Sequence, residues 1–297
     1  MRLPGRLVVV GTGLIGGSVA LGARASGFAR HVIGVDASQT SLEQGLATGV
    51  FDETGLPQDL SAEDLVVVAT PTLTVPGVLS DLAKLGESFA GGATVTDVAS
   101  VKATVREAAE GLAGGVPPRF VAGHPISGSE RSGLGAARGD LFRDRRVILT
   151  PEPDTERAAL ARVEALWHAL GAEVMRMTVA DHDRILAMTS HLPHLLAFAL
   201  VDTLGREAEH ETIFSLAAGG FRDFTRIASS DPIMWADIFA ANGDATVDIL
   251  DRLLTDLGLL RSAIAKGDRD VLMETFERAK RLRDTLLPAT LRTEEEA

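Results

Sequence analysis

The sequence predicts an α/β protein in which a doubly wound parallel sheet is followed by a second, all-helical domain. Two observations support this prediction. Up to residue 177, short apolar runs of strand length alternate with amphipathic helical stretches, as a parallel sheet with crossover helices requires. From Asp181 to Leu287 the apolar residues recur only at helical spacing. We therefore predict two domains, 1–178 and 179–297.

Strands are predicted where a stretch is short, apolar and bounded by turn residues. These stretches are Leu7–Val10, His31–Val35, Leu65–Ala69, Ala93–Asp97, Phe120–Gly123, Val147–Thr150 and Glu173–Met177. Helical spacing predicts helices in the gaps, including Lys102–Leu112 and Thr155–Leu170. In the second domain, apolar stripes at Val247–Ile264 and Val271–Leu287 predict the interface of a homodimer, with packing inside one chain as the alternative.

The composition limits the classes of function. The 297 residues have a formal net charge of −12, and the longest basic run is the mixed stretch Arg143–Arg146, so we expect no nucleic-acid-binding surface. The absence of Cys excludes disulfides and a Cys nucleophile. The apolar run at the start is too short for a signal peptide, and no 18-residue apolar segment is evident elsewhere. We therefore expect a cytoplasmic protein that does not bind membranes.

A glycine-rich turn follows the first predicted strand. Gly11, Gly13 and Gly16 match the pattern G-x-G-x-x-G, and Leu14 and Ile15 begin a stretch with helical spacing. In such a turn the first glycine permits the tight bend, the second lets a pyrophosphate approach, and the third lets the helix pack on the strand. The helix N-terminus adds unpaired N–H groups for the phosphates. The turn predicts a dinucleotide site, with a glycine-rich turn of an unrelated α/β protein as the alternative.

A carboxylate indicates which dinucleotide binds. Asp36 ends the second predicted strand, about 20 residues after Gly16, where it can accept hydrogen bonds from the adenosine ribose hydroxyls and repel a 2′-phosphate. No Lys or Arg occurs between Arg30 and Lys84, although an NADP site usually has a cation near this strand end. The sequence therefore predicts NAD rather than NADP.

Polar residues at the ends of later strands are candidates for binding, because ligands of doubly wound folds bind outside the carboxyl ends of the strands. Thr70 and Pro71 follow the third predicted strand and are expected beside the cofactor; an ordinary strand-ending turn is the alternative. Ser100 follows the fourth strand, where it places a hydroxyl near the nicotinamide or only caps a helix.

His124 directly follows the fifth predicted strand, in the run GHPISGSERSG (123–133). A histidine before a loop of Gly and Ser suits a proton acceptor beside a cofactor better than a core position. The glycines of this loop favour a segment that moves over a ligand. The histidines without such a context are expected at the surface: His31, His168, His182 and His210.

Two motifs in the helical domain carry further candidates. His191 and His194 share one helix face, and Pro193 between them predicts a kink because it lacks a backbone N–H. Zinc would be the rival explanation for this pair, but the sequence offers no evident third ligand nearby, so we predict no metal. Arg222 and Arg226 are four positions apart, and Arg suits carboxylate binding; solvated surface arginines are the alternative.

Five motifs together resemble the prephenate and arogenate dehydrogenase family of tyrosine biosynthesis. They are GTGLIGGS (11–18), DVASVK (97–102), GHPISGSERSG (123–133), SHLPH (190–194) and GGFRDFTRIASSDPIMW (219–235). The resemblance spans nearly the whole chain. It implies a Rossmann domain, a helical dimerisation domain and a catalytic cleft between them. It also implies oxidative decarboxylation of prephenate to 4-hydroxyphenylpyruvate, in which hydride leaves C4 to NAD, CO₂ leaves C1 and the ring becomes aromatic.

The resemblance also implies roles for individual residues. His124 would accept the proton of the substrate 4-hydroxyl, and Ser100 would help to position that hydroxyl. Arg226 would bind a substrate carboxylate, and His194 would lie near the substrate side chain. The remaining residues expected to line, gate or support the pocket are Glu130, Asp223, Trp235 and His191.

Three alternatives stay open. An arogenate dehydrogenase acts on a substrate with an amino group on the side chain, for which Glu130 or Asp223 could supply the acidic partner; a remoter option is another amino-substituted prephenate. A β-hydroxyacid dehydrogenase usually relies on a Lys base in its helical domain, and residues 181–252 contain no Lys. A non-catalytic dinucleotide sensor would not need His124, Ser100 and Arg226 together.

Overall fold

The computed structural model describes residues 4–86, 92–113, 115–128 and 131–286. By compactness the chain divides into two units, Met1–Thr246 and Val247–Ala297. All strands of the described residues lie in the first unit. In chain order they are β1 (Leu7–Val10), β2 (Val32–Val35), β3 (Glu53–Thr54), β4 (Leu65–Val68), β5 (Thr94–Asp97), β6 (Phe120–Val121), β7 (Gly123–Pro125), β8 (Arg146–Leu149) and β9 (Glu173–Arg176).

Six parallel strands form the main sheet, in the order β3-β2-β1-β4-β5-β6. This is the order of the Rossmann fold, so the predicted fold class is confirmed for the first half of the chain. Alternate residues of β1 enter two different apolar cores: Leu7 and Val9 belong to one, Val8 and Val10 to the other. Because successive side chains of a strand point to opposite faces, both faces of the sheet are covered.

A second sheet holds three strands in the order β7-β8-β9, with β7 antiparallel to β8 and β8 parallel to β9. The predicted single strand Phe120–Gly123 is therefore wrong, since its first part ends the main sheet and Gly123 begins the second. Space is short at this crossing, because a Cβ on Gly123 would lie 3.0 Å from Leu149 and 3.2 Å from the Asp97 carbonyl oxygen. The edge strand β3 was not predicted, since its two exposed polar residues carry no apolar pattern.

Helices fill the gaps between strands and make up the chain from residue 179 to the end of the described part, as predicted. They are α1 (Leu14–Ala25), α2 (Gln39–Ala47), α3 (Val75–Ala83), α4 (Lys102–Ala113), α5 (Arg157–Ala169), α6 (Val179–Leu186), α7 (Leu192–Gly205), α8 (His210–Ser215), α9 (Gly219–Thr225), α10 (Pro232–Ala241), α11 (Gly243–Lys266) and α12 (Arg269–Leu286).

A π-helical segment, Ala187–His191, joins α6 to α7, so that one helix runs over Val179–Gly205. The N–H of Leu192 bonds to the carbonyl of Ala187, five residues back. Pro193 explains this local widening, because its missing N–H cannot continue the α-helical ladder.

The same 27-residue helix has a mean hydropathy of 1.4 in its most apolar window, so by length and composition alone it could cross a membrane. The expectation that the chain has no such apolar segment is therefore wrong for this stretch. The helix also carries three buried polar side chains, which bond to one another or to other elements of the protein: His182, Asp183 and His191.

The second unit consists, in its described part, of most of α11 and of α12. Large apolar side chains on both helices are exposed, which agrees with the two apolar stripes of the sequence. They are Val247, Leu254, Leu257, Leu259, Ile264, Val271, Met273, Phe276, Leu282 and Leu286.

Candidate active site

The carboxyl ends of the central strands meet at one edge of the main sheet. Val10 pairs with both Val35 and Val68, and Val68 pairs with Asp97. The loops that follow these strands therefore begin side by side, at the edge where doubly wound folds bind their ligands. They hold the first four groups of predicted site residues: the glycine turn, Asp36, the pair Thr70 and Pro71, and Ser100.

The glycine turn is tight enough to require glycine at two positions. Gly11 has a φ of 96°, and a Cβ there would lie 2.5 Å from the carbonyl oxygen of Ala69. A Cβ on Gly16 would lie 1.9 Å from the carbonyl oxygen of Gly11. At Gly13 the space is open, with no atom within 4 Å of an added Cβ. The turn thus has the two close approaches and the one open side that a pyrophosphate site needs.

The start of α1 faces this turn. Gly13 precedes the helix, and no side chain caps it. The first N–H groups of a helix, here those of Leu14, Ile15 and Gly16, have no partner within the helix. Together with the positive end of the helix dipole, they can bind phosphate oxygens.

Asp36 is held against the glycine turn. One carboxylate oxygen accepts hydrogen bonds from the N–H of Thr12 at 2.6 Å and from its hydroxyl at 2.8 Å, and the other accepts from the N–H of Ser38 at 2.8 Å. Burial opposes ionisation, but these hydrogen bonds hold the pKa of Asp36 below its usual value. The site therefore carries a fixed negative charge next to the turn, which can accept hydrogen bonds from ribose hydroxyls and disfavours a 2′-phosphate.

Thr70 lies against Gly11, since a Cβ on that glycine would approach the Thr70 nitrogen to 2.8 Å. The Thr70 hydroxyl is buried and has no hydrogen-bond partner among the described protein atoms. A buried hydroxyl without a protein partner is available to a ligand. Pro71 is exposed, and the 3₁₀ turn that follows it, Thr72–Thr74, contacts α10.

His124 lies on β7 and belongs to a chain of three ionisable side chains. Its Nδ1 is 2.9 Å from Nε2 of His182, whose Nδ1 is 2.7 Å from Oδ1 of Asp183. His182 has no exposed surface, so the prediction that it lies at the surface is wrong. Burial lowers the pKa of His124 well below its usual value of 6.5, and repulsion from the Lys102 ammonium, and from His182 whenever that ring is protonated, lowers it further. His124 is therefore a neutral imidazole near neutral pH.

A buried ion pair supports the strand that carries His124. The Lys102 ammonium bonds to Oδ2 of Asp97 and donates to the carbonyl of Gly123 at 2.6 Å. The other oxygen of Asp97 accepts from the Gly123 N–H at 3.1 Å. Both charged side chains are fully buried. The pair thus holds both backbone groups of the residue before His124.

Asp183 also binds the start of α4. Its two oxygens accept the N–H groups of Lys102 and Ala103, both at 2.8 Å. This carboxylate therefore satisfies the free N–H groups of the helix, the role for which Ser100 was the sequence candidate. Ser100 is half-buried between β5 and α4. Because Asp183 already accepts these N–H groups, the Ser100 hydroxyl is not needed as a helix cap.

His191 and His194 lie on the same side of their helix, around Trp235. The ring of His194 stacks on that of Trp235 with centroids 3.7 Å apart, and His191 meets the same indole edge-on at 6.1 Å. Burial lowers the pKa of His191 to about 4, and it also lowers the pKa of His194. His191 receives a hydrogen bond from Asn242, whose amide also donates to the Asp183 carbonyl. Trp235 packs on Val101, next to Ser100.

Arg226 begins a 3₁₀ turn directly after α9 and is close enough to His194 to lower its pKa. Asp223 is exposed on α9, as is Arg222. Glu130 lies outside the described residues.

No group of three metal-ligating side chains occurs in the part of the chain that the structure describes.

Five polar residues of the site were missed in the sequence: Asp97, Lys102, His182, Asp183 and Asn242. The signal for His182 was present, since it shares the apolar helical stripe of Ile185 and Leu186. The sequence gives no signal for Lys102, because a lysine near the start of a helix is usually exposed. Its burial against Asp97 is evident only in the folded structure.

The chain matches two family models that together span most of its length. Residues 19–176 match the nucleotide-binding domain of prephenate dehydrogenase, and residues 178–278 match the dimerization domain of prephenate dehydrogenase. A prephenate dehydrogenase of Bacillus subtilis is 34% identical over 285 residues, which cover 94% of this chain and 76% of that protein.

Solved structures give the same result. A crystal structure of prephenate dehydrogenase from A. aeolicus, in complex with hydroxyphenyl propionate and NAD⁺, superposes with a TM-score of 0.87 at 34% identity and covers 97% of this chain and 99% of that one. The arogenate dehydrogenase of Synechocystis superposes with a TM-score of 0.78 at 29% identity, over 95% and 100% of the two chains.

Proposed function

The chain belongs to the prephenate dehydrogenase family, and we propose that it catalyses the NAD-dependent oxidative decarboxylation of prephenate to 4-hydroxyphenylpyruvate, with His124 as the base. The observation that carries the proposal is the place of His124: a neutral imidazole, beside the strand ends that form the dinucleotide site, with one ring nitrogen bonded to His182 and the other left for substrate.

The residues present fit NAD. The glycine turn with its open side at Gly13 and the free N–H groups of α1 would hold the pyrophosphate, and Asp36 would hold the adenosine ribose. The unpartnered hydroxyl of Thr70 would bond to the part of the cofactor that crosses the strand ends. When bound, NAD supplies the hydride acceptor.

The chain's own residues then perform the acid–base chemistry and the positioning. His124 accepts the proton of the 4-hydroxyl as hydride leaves C4, and the carbonyl so formed draws the electron pair of the C1–CO₂ bond into the ring. CO₂ departs, the ring becomes aromatic, and His124 returns its proton to the phenolate oxygen. Ser100 would position the 4-hydroxyl from the loop between β5 and α4.

A cationic and aromatic wall faces the other end of the substrate. We assign Arg226 to a substrate carboxylate and His194, stacked on Trp235, to the substrate side chain. Asp223 is assigned to the pocket wall near Arg226, Glu130 is assigned to the pocket on the family resemblance alone, and His191 supports the stack through Asn242. We also propose a cytoplasmic homodimer joined through the exposed apolar faces of the helical domain, as the dimerization-domain match supports.

The proposal is tested by following NADH absorbance with purified protein, offering prephenate and arogenate in turn with NAD and with NADP. We expect turnover of prephenate with NAD, and a large loss with NADP because the Asp36 carboxylate repels the 2′-phosphate. Absence of turnover for both substrates with both cofactors would contradict the enzyme assignment.

Arogenate is the second candidate substrate, because the Synechocystis arogenate dehydrogenase has the same fold over 95% of this chain. The two substrates differ at the side chain, where arogenate has an ammonium and prephenate a keto group. In the absorbance assay a higher kcat/KM for arogenate than for prephenate would replace the prephenate assignment and leave the roles of His124 and Asp36 unchanged.

Replacing Arg226 with Ala is expected to raise the KM for prephenate by about 10–100-fold, because a hydrogen bond to a charged group contributes roughly 1.5–3 kcal/mol. The Kd of NAD should not change, since Arg226 lies on the helical side of the site. Steady-state kinetics and a binding titration measure the two quantities. Arg206→Ala, which removes an exposed arginine paired with Asp202, is the control. An effect on NAD affinity alone would contradict the carboxylate role.

A further inference from the structure

We infer that His182 and Asp183 are positioning residues that set the tautomer of His124, so that its Nε2 carries the lone pair offered to the substrate hydroxyl. The inference rests on the proposed function, because the tautomer matters for catalysis only if His124 is the base. Its evidence is the line of contacts from Asp183 through His182 to His124, with heavy-atom separations of 2.7 and 2.9 Å.

The direction of each hydrogen bond follows from Asp183. Burial opposes ionisation of this carboxyl, but hydrogen bonds from His182 and from the backbone of Lys102 and Ala103 hold its pKa below the usual value. An ionised carboxylate can only accept hydrogen bonds. The Nδ1 of His182 must therefore carry a proton and donate it to Asp183.

The second bond follows from the first. His182 is fully buried, and burial lowers its pKa, so its ring is neutral and has one proton. With that proton on Nδ1, the Nε2 of His182 is an acceptor. The Nδ1 of His124 must then be the donor across the 2.9 Å contact, and the Nε2 of His124 is left unprotonated.

The arrangement is useful in two ways. A neutral histidine without a fixed partner divides its proton between the two nitrogens, and only one tautomer can act as a base at Nε2. Once His124 has taken the substrate proton, the imidazolium lies two hydrogen bonds from an ionised carboxylate that stabilises its charge. The same logic applies wherever a buried carboxylate orients a catalytic histidine.

Two substitutions of His182 separate the two hydrogen bonds. In His182→Gln the terminal amide lies where Nε2 was, so its oxygen can still accept from His124. In His182→Asn the amide lies where Nδ1 was, so it can still bond to Asp183 but does not reach His124. We expect kcat to fall by about 10²-fold in the Asn variant and by less than about 10-fold in the Gln variant, because a base with the wrong tautomer loses most of its effect.

The KM for NAD should stay unchanged in both variants, and His168→Asn, which replaces an exposed histidine of α5, should keep the wild-type kcat. A role for His182 in stability alone would lower the free energy of unfolding in both variants without separating their kcat values. Equal kcat values for the Gln and Asn variants would overturn the inference.

Nitrogen NMR of protein labelled at its seven histidines reads the tautomer directly. The His124 signal, identified by its loss in His124→Asn, should show the proton on Nδ1 in the wild type and lose this preference in His182→Asn. A wild-type His124 with its proton on Nε2 would overturn the inference even if no His182 variant folds. Because this spectrum needs no turnover, it also separates failure of the inference from failure of the proposed function.

Discussion

His124→Asn is expected to lower kcat by about 10²–10⁴-fold, the usual effect of removing a general base. Asn is close to His in size and can still bond to His182, but its amide cannot take a proton. The dinucleotide site is built by other residues, so the Kd of NAD should stay within about two-fold, a difference well below 1 kcal/mol. Stopped-flow or steady-state kinetics and a fluorescence titration measure the two quantities.

The wild-type pH profile gives a second readout of the same residue. The groups that face His124 and lower its pKa beyond the effect of burial are His182, Lys102 and His191. Since His124 must be neutral to act, a lowered pKa keeps the enzyme active as the pH falls through 6.5, and the acid limb of kcat/KM should lie below that value. An acid limb above pH 6.5, or a His124→Asn variant with wild-type kcat, would remove His124 from the role of base.

Lys102→Met is expected to lower the free energy of unfolding by about 3–5 kcal/mol, because it leaves the carboxylate of Asp97 buried without its partner. Both side chains are fully buried, and the ammonium also bonds to the Gly123 carbonyl. The loss is a large part of the stability of a typical domain, which is about 5–15 kcal/mol. Urea unfolding followed by circular dichroism measures it.

The double variant Asp97→Asn, Lys102→Met is the matched control. It removes both charges, so it should recover part of the stability lost in the single variant, and the two substitutions should be clearly non-additive. Because Asp97 and Lys102 hold Gly123, we also expect kcat to fall in every variant of the pair. A loss below about 1 kcal/mol in Lys102→Met would show that the buried charge is better compensated than the contacts indicate.

The features of this protein that could be predicted are those that depend on residues close together in the sequence. The glycine turn and Asp36 were found because a strand, a turn and an acid follow one another within one βαβ unit. His124 was found because a histidine between a strand and a glycine-rich loop is unusual. The parallel sheet followed by helices was evident from the change in apolar spacing near residue 177.

The parts that could not be predicted depend on pairs far apart in the chain. His182 is 58 positions from His124, and Asp183 is 81 positions from Lys102, so no local pattern joins them. The division of one predicted strand between two sheets was missed for the same reason, since β7 pairs with β8 only after the intervening loop returns. The resemblance to the family located His124 but not the contacts that fix its ring.

The carboxylate of Asp183 has a consequence for where this protein can be divided. A gene fragment ending at residue 178 would retain all the strands that the structure describes, yet the first two N–H groups of α4 would lose the acceptor they have in the whole chain. The dinucleotide-binding half therefore depends on a residue that lies beyond residue 178, the boundary predicted from the sequence. Chimeras that exchange the helical half between relatives should keep Asp183, because without it the first N–H groups of α4 lose their acceptor. They should also keep Asn242, which donates to the carbonyl of Asp183.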